Sequence, residues 1–458
     1  MKKETRNILI TCGALLLMVC ICTSMIAITG LGVSLIKPQE TSIAIATEKL
    51  PTPLPTLAST GELDPALAQQ MDLIQSQVIS IRGLEPDFSV PRTLLTDEQL
   101  RENVMNNFLS DYSPEEARQD ALELAVLGLL PPEFDLLDFY TELYSEQVAG
   151  YYDDDTKAMY VVKGETFGGN EKITYAHEYT HVLQDQIYDF QGGLGYTDEN
   201  CQVDSERCAG IQALIEGDAV LTEILWFQTY ATEEDYKDIF DFYESYESPV
   251  FDSAPNYMQE DFMFPYMQGQ TFVQSLYDQG GFDAIDQAYQ NVPISTEQIL
   301  HSERYPDDKP IPVPLPDLKE ILGEGWTELD RNVMGEWFTY LILAHSSDPT
   351  FRISDDTAKN AAEGWGGDTY LIYINEETEE IILVMVSTWD TPRDLDEFYE
   401  AFMQYAQNRW GEPIVDPVIG NAWQGRDFYN SFYITGNFST WIFTPDAALD
   451  KIIKEALP

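Results

Sequence analysis

Residues 173–186 read ITYAHEYTHVLQDQ, and the spacing inside HEYTH decides how the rest of the chain is read. The chain has 458 residues but only four histidines. A chance His-Glu-x-x-His is therefore expected only about 0.003 times in a chain of this make-up. On a helix, His177 and His181 stand one above the other on one face. Their imidazoles can then meet one metal ion at about 2.0–2.1 Å. Glu178, one step round the helix, would reach a water beside the metal rather than the metal itself. A helix is expected here, because Asn170 follows two glycines and can cap its start, and no Pro or Gly interrupts before Gly192.

Two histidines do not complete a catalytic zinc site, which takes three protein ligands and a water. A histidine six residues after His181 would extend the motif, but that position is Ile187. The remaining candidates are His301, His345 or a carboxylate. The stretch ALIEGDAVLTE (213–223) offers Glu216 on an expected helix just beyond a loop with two cysteines. Two helices joined by such a loop can pack side by side and turn Glu216 toward the histidine pair. Glu223, two turns along the same face, is the alternative, and Asp218 lies about 200° round from Glu216. A purely structural zinc site would need a fourth protein ligand, and the sequence has no Cys/His cluster to supply one.

The bulk composition narrows the partners. Asp and Glu number 79 against 25 Lys and Arg, a net charge of −54. A phosphate backbone needs a basic face, so nucleic acid is excluded as a partner. Anionic lipid headgroups are disfavoured for the same reason. The charge reads as a strongly solvated surface; a cleft for cationic substrates or Ca²⁺ near Asp153, Asp154 and Asp155 is the sharper alternative. Apolar content of 44 % and aromatic content of 12 % are those of a globular chain.

At the N-terminus, Lys2, Lys3 and Arg6 precede an uncharged run from Ile8 to Ile36. That run exceeds the 20 or so residues a membrane span needs and the roughly 7–15 of a cleavable signal. Residues 1–36 are therefore expected to be a cytoplasmic tip and a single-pass anchor, with the bulk of the chain outside the cytoplasm. Late cleavage at Ala44-Ile45-Ala46 is the alternative. Residues 37–60 form a Thr/Pro-rich stalk. Outside the span only Cys201 and Cys208 remain, and in an oxidising compartment they are expected to form a disulfide.

From residue 61 the pattern turns helical. One helix is expected after Asp64-Pro65, a second from Thr96, and a third from the Ser113/Glu116 capping-box spacing to Gly128. GYYDDDTKAMYVV (150–162) reads as a hairpin. From residue 326 the style changes to a weak repeat of Trp, Gly and Asp, two strands, then Thr-Pro opening a helix at Thr391-Pro392 and Thr444-Pro445. Two ββα units, expected as one sheet with helices on one face, would make residues 326–458 a separate α+β domain. Trp365, Trp389, Trp423 and Trp441 are read as its core packing.

HEYTH followed by a helix bearing Glu-Gly-x-Ala resembles the gluzincin class of zinc metallopeptidases, in particular its loose peptidase-MA-like group, over roughly residues 145–230. The resemblance implies that His177, His181 and Glu216 bind Zn²⁺ and that Glu178 is the general base. It also implies that a strand edge upstream, here Ala158–Val162, receives the substrate backbone. Several members carry an Asp four residues after the glutamate ligand to orient a histidine; here that position is Val220, leaving Asp185 or Asp218 as stand-ins. An oxyanion donor is also required, with His301 and Tyr305 as candidates. The expected architecture is α+β: a mostly helical zincin-like domain with a small edge-strand sheet over 61–325, then the C-terminal domain. The expected activity is that of a membrane-anchored extracytoplasmic zinc endopeptidase acting on peptide or protein substrates. A catalytically silent zincin-fold surface binding or scaffold protein is the rival reading.

Overall fold

The computed structural model describes residues 63–457, apart from 97, 100–101, 104–108, 110–111, 148–149, 163–166, 417–419 and 427. The anchor, the stalk and most of the helix expected from Thr96 lie outside the described residues. Among the described residues, no helix is long and apolar enough to cross a membrane.

The fold is mixed α+β, with one three-stranded and one seven-stranded sheet. Helix α1 (Pro65–Arg82) starts where Asp64 accepts from the N–H groups of Ala66 and Leu67, and it stops at Gly83, whose φ of 78° a side chain would resist. Helix α2 (Pro114–Leu127) opens with the expected Ser113/Glu116 capping box and ends at Gly128. Helix α3 (Leu136–Gln147) leads into the hairpin of β2 (Gly150–Asp153) and β3 (Ala158–Val162). Strand β1 (Arg92–Leu95) pairs parallel with β3, so the order is β1-β3-β2. The expected free edge at Ala158–Val162 is therefore wrong: β3 is the middle strand, and β2 is the edge that meets the motif helix.

That helix, α4 (Gly169–Tyr188), starts from Gly168 rather than Asn170, with the Glu171 carboxylate accepting from the Gly168 N–H at 2.9 Å. Helix α5 (Ser205–Tyr230) carries Cys208 near its start, joined by a disulfide to Cys201, with the two Cα atoms 5.5 Å apart. Helices α6 (Glu233–Ser245), α7 (Asn256–Gly280), α8 (Phe282–Gln290) and α9 (Thr296–Leu300) complete this half. Helices α5 and α7 nearly touch backbone to backbone. A Cβ on Gly217 would lie 2.2 Å from the Gly269 carbonyl oxygen, and one on Gly269 would lie 2.2 Å from that of Ala213. Glycine at both positions is what permits the crossing.

The second half contains β4 (Trp326–Asn332), α10 (Gly335–Ala344), α11 (Asp355–Ala362), β5 (Trp365–Asn375), β6 (Ile381–Trp389), α12 (Pro392–Trp410), β7 (Ile414–Asp416), β8 (Gly420–Gln424), β9 (Tyr429–Thr435), β10 (Phe438–Thr444) and α13 (Ala447–Ala456). Its sheet runs β4-β5-β6-β10-β9-β8-β7, antiparallel throughout. The two ββα units are present, but their helices cover opposite faces, not one. Along β6, Leu383 and Met385 join the core on the α12 side, whereas Ile382, Val384 and Val386 join the core holding Ile453 of α13. Strands apolar on both faces need a layer on each side. Thr391 caps α12 as expected, but α13 starts two residues later than its counterpart, from Asp446, because Thr444 still belongs to β10. The four tryptophans are buried, and the core runs unbroken from Leu214 and Phe264 of the helical half to Trp365 and Phe402.

Candidate metal centre

Helix α4 is buried on every side from Ile173 to Asp185, so His177, Glu178 and His181 all point into protein. Helix α5 lies alongside and carries Glu216, also buried, next to the Gly217 crossing that fixes its backbone. The two imidazole Nε2 atoms stand 3.0 Å apart, and Glu216 Oε2 is 3.3 Å from each. Three donors on a zinc ion, at 2.0–2.1 Å in tetrahedral array, stand about 3.3–3.4 Å apart. The triangle in this protein has that size.

The protonation pattern says what the triangle is for. His177 Nδ1 lies 2.9 Å from Glu223 Oε2, and His181 Nδ1 lies 2.8 Å from Gln184 Oε1. The Gln184 amide is oriented without ambiguity, because its Nε2 donates to the Ile215 carbonyl and to Asp218, both at 3.0 Å. Each imidazole thus faces an acceptor at Nδ1, keeps its proton there, and turns a lone pair inward at Nε2. Glu216 Oε2 adds a third, and it is buried with no hydrogen-bond donor. Three acceptors converging without a donor call for a cation. The electrostatics of the pair point the same way. Burial would raise the Glu216 carboxyl and lower His181, yet their mutual attraction brings Glu216 down to about 2 and pushes His181 up. This donor set, two imidazoles and one carboxylate with carbonyl or carboxylate support behind each ring, fits zinc.

Glu178 stands beside the triangle, with a carboxylate oxygen within 4.8 Å of the ring nitrogens. Its Oε2 accepts the Tyr152 N–H of β2 at 2.6 Å. Burial pushes its carboxyl up, and His181 and His177 only partly offset that. The Tyr266 ring of α7 lies against His177, centroids 6.4 Å apart.

Of the sequence-derived candidates, His177, Glu178, His181 and Glu216 come together. Glu223 does not join the triangle but orients His177. Asp218 stands behind Gln184, while Asp185 takes the Tyr152 hydroxyl at 2.7 Å and pairs with Lys157 at 2.5 Å. His301 is not brought to the site. Its Nε2 is held by Glu336 at 2.9 Å, and Thr296, at the start of α9, bonds Glu206 in the first turn of α5. Ten residues of helix, about 15 Å, separate Glu206 from Glu216. Tyr305 donates to the Asn291 carbonyl at 2.7 Å, and His345 is held between Tyr340 and Asn256. Asp153 accepts the turn N–H groups of Asp155 and Thr156, and Gln191 donates to Asp154 and Asp155, so these acids shape the hairpin turn. Gln184 was missed by sequence reasoning, although its place one turn beyond His181 is the available signal.

Residues 322–452 match the family described as a domain of unknown function, DUF8575. This match covers the seven-stranded sheet and leaves His177, His181 and Glu216 outside. No curated protein and no solved structure matches the chain.

Proposed function

We propose that this protein is a zinc-dependent peptidase of the gluzincin type. The observation that carries the reading is the triangle of His177 Nε2, His181 Nε2 and Glu216 Oε2, 3.0–3.3 Å apart, three acceptors when each ring keeps its proton on the Nδ1 that faces Glu223 or Gln184. His177, His181 and Glu216 would hold the ion, with Glu223 and Gln184 fixing the two rings. A bound zinc ion supplies Lewis acidity, polarising a carbonyl and acidifying water. Glu178, held by the Tyr152 N–H, takes the proton of the attacking water and passes it to the leaving amine. Strand β2 supports a peptide substrate. Tyr152 turns its N–H away from β3 toward the motif helix, and alternation gives Gly150 the same outward side. An extended peptide would pair at Gly150, the Tyr152 N–H being held by Glu178.

The test is zinc content followed by one substitution. The purified protein should retain close to one zinc after dialysis against metal-free buffer. Glu178→Gln should keep that zinc and lose peptide hydrolysis by about 10²–10⁴-fold. Retained zinc with no hydrolysis in the wild type would favour the silent binding protein. Absence of zinc in folded protein would end both readings.

A further inference from the structure

Behind His181 a line of buried side chains leads out of α4. His181 Nδ1 meets Gln184 Oε1 at 2.8 Å, and Gln184 Nε2 donates to Asp218 Oδ2 at 3.0 Å. Asp218 is gripped by the Arg82 Nε, at 2.8 and 3.0 Å from its two oxygens, and by the Tyr289 hydroxyl at 3.0 Å. Arg82, only 1 % exposed, also pairs with Asp286 at 2.7 Å and lies over the Phe282 ring at 4.7 Å. It is the last residue of α1, the first helix after the stretch read as stalk. Nothing in the 177–223 stretch that carries the zinc reading points to it.

The amide of Gln184 is the sensitive link. Turned over by 180°, it would present its NH₂ group to His181 Nδ1. The ring proton would then move to Nε2, where a metal needs a lone pair. Two acceptors oppose that turn, the Ile215 carbonyl and the Asp218 carboxylate. Only the carboxylate is a side chain, and its direction depends on Arg82. We infer that Arg82 is a positioning residue for the metal centre: by pinning Asp218 it locks the Gln184 amide and fixes the His181 tautomer. The inference rests on the zinc reading above. It makes the C-terminal end of α1 a working part of the site.

The test uses the purified full chain as wild type, Arg82→Lys, the double variant Arg82→Met/Asp218→Asn, and Asp286→Asn. The double variant removes both charges together, so no unpaired buried charge remains to unfold it. Zinc affinity is measured by chelator competition, the visible spectrum is recorded with Co²⁺ in place of zinc, and Tm is followed for each. Both Arg82 variants should bind zinc about 10-fold more weakly and shift the Co²⁺ bands. Asp286→Asn touches Arg82 without touching Asp218, so it should lower Tm and leave the Co²⁺ bands in place. Wild-type zinc affinity and Co²⁺ bands in folded Arg82→Lys and the double variant would overturn the inference, leaving Arg82 as packing for α1. A folded wild type that binds neither ion would overturn the zinc reading instead.

Discussion

Two groups of acidic and basic side chains lie along α5, one at its middle and one near its start, and their difference separates a cation site from an acidic cluster. At the α4–α5 crossing, two lone pairs and a carboxylate oxygen converge with no internal cation. Near α9, oxygens of Glu297, Asp308 and Asp390 lie within 4.8 Å of one another, a span that could also hold an ion. There, however, Arg304 sits among the acids, contacting Glu297 and lying 3.6 Å from both Asp390 and Glu363. A guanidinium already supplies the positive charge. Acid count alone would rank the second group higher; the absence of a donor ranks the first.

The strongest way to break the comparison is to disturb the first group through its backbone. Gly217→Ala puts a methyl group 2.2 Å from the Gly269 carbonyl oxygen, so α5 and α7 must separate and Glu216 must move with them. Overpacking of this kind should cost about 2–3 kcal/mol net of alanine's helix preference, read as a lower denaturation midpoint with unchanged slope, and zinc affinity should fall with it. In the second group, Arg304→Gln leaves Glu297 and its neighbours without a cation. Its side chain is 23 % exposed, so a loss of about 2 kcal/mol at neutral pH is expected, with millimolar Ca²⁺ restoring part of the Tm in the variant alone. An equal Ca²⁺ effect in the wild type would show that Arg304 does not fill the site.

The smallest effect concerns an acid with neither arrangement. Asp261 of α7 accepts the Trp337 indole N–H at 3.0 Å, and burial raises its carboxyl to about 7. The unfolded chain loses this proton near pH 4, the folded chain only near 7. Between those values the folded state binds more protons, so stability falls as pH rises and levels off above about 7. Asp261→Asn should flatten that slope, narrowing the difference between pH 5 and pH 8 by on the order of 2 kcal/mol. Denaturation curves at the two pH values measure it, and an unchanged slope would remove Asp261 as its source.

Local signals made much of this legible. The HEYTH spacing, the Ser113 capping box, the hairpin turn and the cysteine pair each depend on residues a few positions apart, and each appears as read. The place of Glu216 beside the histidine pair was also legible, because a helix and a loop leave few ways for α5 to pack on α4. What escaped depends on distant pairing. Glu216 and Glu223 share a helix face, and only the packed position of α4 decides which meets Nε2 and which Nδ1. Strand β3 lost its edge to β1, a four-residue strand from far upstream. His301 carried the right chemistry, but Glu206 and Thr296 tie its segment to the wrong end of α5. Helices on both faces of the large sheet follow from strands without a polar side, a pattern present in residues 381–389 but outweighed by the repeat.

Helix α4 has no solvent side between Ile173 and Asp185. An amphipathic helix at a surface can fray and reseal on its own, but this one can open only when its neighbours part. Exchange of its amide protons should then track the rarest openings of the molecule. The imidazoles of His177 and His181 ride on that backbone, so their spacing is held by the packing of the whole core and not by one helix alone.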